Sequence, residues 1–171
     1  MEADLFGDAA DVLRSLLPDD YGAVGLRPRR YGLKVWFDAA EPGREHYEAQ
    51  VIGARHAPGA QYLALEIGFH AEHPKPEANQ AVLAPLVAAE RRWRRALGPD
   101  AVAGPFLGRD TWARLSETWL DPDLGAPDLP EEIGTRLLDY VTAIEPLRRP
   151  GSGAAPRAGR KATGGARART H

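Results

Sequence analysis

Cysteine is absent from this 171-residue chain. That excludes disulfides, thiolate zinc sites and cysteine nucleophiles, and leaves histidine and carboxylate side chains as the only ligands for a metal. Serine is scarce, at Ser15, Ser116 and Ser152, and none stands in a pattern with histidine that would mark a nucleophile. No apolar run approaches the roughly 18 residues of a membrane span. The N-terminus also lacks the basic stretch and apolar run of a signal peptide, so the chain reads as cytoplasmic and without membrane contact. A glycine-rich phosphate loop, a nucleophile elbow and a His-Glu-x-x-His helix are all missing, and no cofactor is expected. Lysine is rare, 3 against 19 arginines, and with abundant Ala, Gly and Pro this bias suggests a GC-rich bacterial genome.

The net charge of −2 is unevenly spread. Residues 1–149 hold 17 basic and 24 acidic residues, a net of −7, whereas from Pro150 onward Arg157, Arg160, Lys161, Arg167 and Arg169 face no acid. An acidic body repels phosphate backbones, so weak, non-specific nucleic-acid contact would fall to the tail. Residues 150–171 carry no large apolar side chain to offset their ordering entropy and are expected to be disordered. The organisation expected is one α+β domain over 1–149 followed by that basic tail.

Within the body, Leu5, Phe6, Ala9, Val12, Leu13, Leu16 and Leu17 share a helical face, ended by Pro18. Three stretches then alternate with the period of half-buried strands, at about 31–38, 46–54 and 62–70. Their apolar rows are Tyr31, Leu33, Val35 and Phe37, then Tyr47, Ala49 and Val51, then Leu63, Leu65, Ile67 and Phe69. Short loops with Pro42-Gly43 and Pro58-Gly59 make them antiparallel neighbours. Val82, Leu86, Ala89, Trp93 and Leu97 return at helical spacing over about 78–97, where Pro85 predicts a kink or a start near Ala81. Ala101 to Leu107 and Trp112 to Leu120 read as strands, although Trp112, Leu115 and Trp119 also fit a helix. Asp128, Pro130 and Glu131 open a last helix over about 129–146. The fold class is therefore α+β: an antiparallel meander of four to five strands packed by about three helices, in the order α-βββ-α-β(β)-α.

Parity places Trp36, Asp38, His46, Glu48, Gln50, Tyr62, Glu66 and His70 off the apolar rows. If the loops pair the strands symmetrically, His46 faces His70, Glu48 lies near Gly68, Glu66 near Gln50, and Asp38 opposes His46. Asp38, His46 and His70 could then hold a divalent ion, with Glu66 or Glu48 as base on bound water; a solvated outer sheet face is the plainer reading. Trp36 and Tyr62 on that face suggest either burial or a contact surface around Trp36, Tyr62, Glu66 and His70. Arg91, Arg92, Arg94 and Arg95 read as a solvated helix end that complements the helix dipole.

The element order resembles the nuclease core of the PD-(D/E)xK type, and equally the type III secretion chaperone-like and YbjN-like folds. The nuclease resemblance implies a metal held by Asp38, Glu48 and Gln50. The triplets Glu48-Ala49-Gln50 and Glu66-Ile67-Gly68, however, lack the lysine of that motif. Leu65-Glu66-Ile67-Gly68-Phe69-His70 and Arg114-Leu115-Ser116-Glu117-Thr118-Trp119 are similar to uncharacterised actinobacterial proteins, which implies no activity. The function expected from the sequence is a non-enzymatic module that binds a protein partner or a second copy of itself through an exposed sheet face. The alternative is a metal-dependent hydrolase, a degenerate nuclease foremost.

If the tail has no part in folding, a chain ending at Pro150 keeps the thermal midpoint of the full-length protein. Any retention on DNA at low salt should vanish with the tail. A lowered midpoint by calorimetry would show that the tail packs on the body.

Overall fold

The computed structural model describes residues 4–149, so the disorder expected of 150–171 lies outside the described residues. Asp4 caps the first helix, its carboxylate accepting from the Gly7 N–H at 3.1 Å, which satisfies a donor the helix start leaves unpaired. Helix α1 (Leu5–Leu16) buries Phe6, Ala9, Ala10 and Leu13. The strands β1 (Val24–Arg29), β2 (Gly32–Phe37), β3 (Glu45–Gly53) and β4 (Leu63–Ala71) follow, then α2 (Pro76–Ala88), α3 (Glu90–Leu97), β5 (Val102–Phe106), β6 (Arg109–Leu120) and α4 (Leu129–Arg148). All pairs are antiparallel, in the spatial order β1-β2-β3-β4-β6-β5. The class is α+β as expected, with four α-helices and six strands among the described residues.

The added strand is β1, whose Gly25 and Pro28 hide its period in the sequence. Pro28 is tolerated because β1 is an edge strand, where a missing N–H need not break the ladder. Gly25 pairs with Trp36, and a Cβ there would sit 2.1 Å from the indole; only glycine admits that ring. Residues 112–120 are strand, the second half of β6. Tyr31, expected in the apolar row, is instead 59% exposed, because the chain turns between β1 and β2 at Arg30-Tyr31.

The helix expected over 78–97 is two helices. Its break falls at Ala89, not at Pro85, which lies inside α2. The Leu86 carbonyl accepts from the Trp93 indole at 2.7 Å and from the Ala89 N–H at 3.1 Å. Both bonds fall at the turn that separates the two helices.

One sheet face carries the apolar core. Leu33, Val35, Tyr47, Ala49, Leu65, Ile67, Phe69 and Leu115 pack there with Phe6 and Leu13 of α1, Leu86 of α2, Trp93 of α3, and Leu137, Tyr140 and Ile144 of α4. Helices α1 and α4 meet closely at Gly134, where a Cβ would lie 2.7 Å from Val12 and 3.0 Å from the Ala9 carbonyl.

Ile67, with no exposed surface, sits at the middle of that face. Ile67→Asp should bury an unpaired charge and cost about 4 kcal/mol or more, a large share of the roughly 5–15 kcal/mol that keeps an ordinary domain folded. Circular dichroism checks it; a soluble variant with an unchanged melting temperature would refute the face assignment.

Candidate metal centre

The opposite face of the sheet is polar in sequence yet buried in structure. His46, Glu48, Glu66, His70 and Ser116 are all under 10% exposed. Part of the cover comes from the β5–β6 hairpin. A register shift between Pro105 and Phe106 aims the Phe106 ring edge-on at His70, 4.9 Å between centroids, and Trp112 packs behind it at 5.7 Å. A bulge redirects a side chain in this way.

Register then assembles the group. His46 faces His70, Glu48 faces Gly68, and Gln50 faces Glu66 across β3 and β4. Gly68 leaves the space between Glu66 and His70 clear, and a Cβ there would lie 2.4 Å from the Leu115 carbonyl and 2.5 Å from Ser116. The β2–β3 pairing is Lys34↔Glu48, so a lysine joins the row. Glu72, just past β4, completes it: ligand atoms of His46, Glu48, His70 and Glu72 all lie within 4.8 Å of one another. His46 Nε2 is 3.2 Å from Glu48 Oε2 and 3.6 Å from Glu72 Oε1. His70 Nδ1 is 3.3 Å from Glu48 Oε2 and 4.0 Å from Glu72 Oε1.

The outer ring atoms are held from behind. His46 Nδ1 faces the Gly43 carbonyl at 3.2 Å, and His70 Nε2 lies 2.8 Å and 2.9 Å from the two Glu66 oxygens. Gln50 donates to the same carboxylate at 3.3 Å. His46 Nε2 also lies 2.9 Å from the Lys34 ammonium and 3.2 Å from Glu48 Oε2. His70 Nδ1, fully buried, has Glu48 Oε2 as its ion-pair partner at 3.3 Å, in a geometry that falls short of a hydrogen bond.

Charge follows from this crowding. Burial alone would lower the pKa of His70, but the Glu66 and Glu48 carboxylates outweigh it and raise the value to about 9. Burial would raise the pKa of Glu48, yet His46, His70 and Lys34 hold it well below the usual carboxylate range. Glu66 is lowered in the same way, chiefly by His70 against its burial.

Of the residues singled out in the sequence, the structure brings His46 and His70 together and leaves Asp38 out. Asp38 lies past the end of β2 with φ 58°, accepting from the Ala23 N–H at 3.3 Å and from Arg149 at 2.8 Å. Its expected place opposite His46 is lost because the Lys34↔Glu48 register carries the chain past it. The nuclease-like set Asp38, Glu48 and Gln50 is not assembled either. Nor is the contact surface of Trp36, Tyr62, Glu66 and His70 an exposed face. Trp36 is 7% exposed, with its indole donating to the Ala39 carbonyl at 2.9 Å, and Glu66 and His70 are fully buried. Only Tyr62 is open, at 80%. Lys34 and Glu72 were not marked by sequence pattern, although Lys34 shares the parity of Trp36 and Glu72 that of His70.

No protein-family model, curated protein or solved structure matches this chain. The centre is therefore read from its own chemistry. Among the described residues, no helix is long and apolar enough to cross a membrane.

The titration of the row predicts a pH profile for protein kept free of metal by a chelator. His70 has a raised pKa in the fold, so its stabilising contribution is complete below about 6.5 and is lost as the pH climbs through about 9. Glu48 and Glu66, lowered from 4.5, contribute above that value and lose their contribution on acidification. The melting temperature should thus peak near pH 5 to 6.5 and fall toward pH 9. His70→Asn should flatten the alkaline limb, and an unchanged limb in that variant would assign it to another group.

Proposed function

We propose that this protein is a non-enzymatic binding module whose ligand is a divalent cation of the zinc type, held by His46 Nε2, His70 Nδ1, Glu48 and Glu72. The observation that carries the reading is the convergence of one ligand atom from each of His46, Glu48, His70 and Glu72 to within 4.8 Å of one another. A divalent cation there would displace the proton that the His70 imidazole carries below about pH 9 and take over its pairing with Glu48.

Distance supports the same reading. A tetrahedral ion with ligands at about 2.0–2.1 Å sets them roughly 3.3 Å apart. The four imidazole–carboxylate separations here run from 3.2 to 4.0 Å. So does the outer shell, since a ligating histidine commonly gives its second nitrogen to a carboxylate or a backbone carbonyl, the roles Glu66 and Gly43 fill. Imidazole with carboxylate suits zinc over calcium or magnesium.

The donor count argues for binding over catalysis. Four protein ligands close a tetrahedral site, whereas a catalytic one keeps a position open for water. The side chains of Glu48 and Glu72 are only 10% and 14% exposed, an opening suited to an ion more than to a nucleic-acid strand. The nuclease-like alternative draws no support from Asp38, which lies elsewhere.

The test is thermal unfolding of the chelator-stripped, full-length protein during titration with zinc and, separately, manganese. A saturable rise is expected with zinc, about 2.7 kcal/mol at a hundredfold excess over Kd. It should be absent in His46→Ala/His70→Ala. No shift in the native protein, or an equal shift in the variant, sinks the reading; zinc-dependent DNA cleavage would move the protein into the hydrolase class.

A further inference from the structure

The buried row already contains a cation. The Lys34 ammonium lies 2.9 Å from His46 Nε2, 3.3 Å from Glu48 Oε2 and 3.5 Å from Glu72 Oε2, so it engages three of the four groups assigned to the metal. Lys34 cannot accept a hydrogen bond, which makes it an occupant of the donor set and never a member. Its rarity sharpens the point: the chain has only three lysines, and this one is placed by backbone pairing opposite Glu48.

We propose that Lys34 is a built-in competitor for the metal centre, holding His46, Glu48 and Glu72 in the metal-free protein and leaving when a divalent ion enters. The inference rests on the metal-binding reading and adds to it how filling of the site is set. An ammonium on a flexible four-carbon stem is a compact point charge that can be withdrawn without moving the backbone. Its side chain keeps 18% of its surface exposed, so part of it already meets water.

Two consequences follow from charge alone. With Lys34 in place, Glu48 and Glu72 have a neutralising partner, and the metal-free fold avoids two uncompensated carboxylates. Metal entry must then break the contacts to Lys34, so affinity is lower than the four ligands alone would give. Lys34 thereby sets the concentration at which the centre fills, excluding trace metal while preserving the ligand geometry.

Isothermal titration of zinc into the chelator-stripped, full-length protein, beside Lys34→Met and Lys34→Gln, tests this. Both variants should bind more tightly than the native protein, by about tenfold or more, and both should melt at lower temperature before metal is added. A variant that fails to fold without metal should recover on refolding with zinc. Equal or weaker affinity in the variants, or no recovery with zinc, overturns the role of Lys34 while the site itself stands on the native protein's binding. Absence of zinc binding in the native protein and in both variants removes the site and this inference with it.

Discussion

The pairing of β3 with β4, unbroken from Glu45↔Ala71 to Gly53↔Leu63, holds both faces of this protein in place at once. Side chains alternate along a strand, so the register that stacks Tyr47 on Phe69 and Ala49 on Ile67 also stacks His46 on His70 and Gln50 on Glu66. A slip of β4 by one residue would send His70 into the helix-covered core and turn Ile67 onto the polar face. The hydrophobic effect therefore fixes the polar row indirectly: burying one face aligns the other.

That second face is unusual because its polar groups are also removed from water. Burying carboxylates and imidazoles together costs several kcal/mol per ion unless opposite charge and hydrogen bonds compensate. Elsewhere in the molecule this is done wholly with donors. Glu117 accepts from Trp119 at 2.6 Å, from Tyr140 at 3.2 Å and from the Arg136 guanidinium. Glu145 likewise accepts from Tyr47 at 2.9 Å and from Arg148 at 2.5 Å. Those networks are complete, and they tie α4 to the sheet. The row around His70 differs because two imidazoles and two carboxylates converge on one point with the Lys34 ammonium among them.

Much of the architecture was legible in the sequence because period carries it. The alternation of Leu33 with Val35 and of Leu65 with Ile67 placed strands and apolar face together, and short loops made the neighbours antiparallel. The strand β1 escaped because Gly25 and Pro28 serve packing and edge geometry, not period. The break at Ala89 escaped because it depends on an indole seven residues from the carbonyl it captures. At the site, the His46–His70 and Gln50–Glu66 pairs followed from loop symmetry, while Asp38 was misplaced because the register of β2 against β3 differs from that of a symmetric loop.

The sequence by itself determined which side chains lie on which face, since parity along a strand is a local property of the backbone. It also confined any metal to histidine and carboxylate ligands by having no cysteine. Only the tertiary structure decided that the polar face is buried, since its cover comes from Phe106 on a bulge thirty-six residues beyond His70. The structure likewise brought Lys34 and Glu72 into the row, because contacts across a sheet depend on register, and register is settled by the packing of the whole.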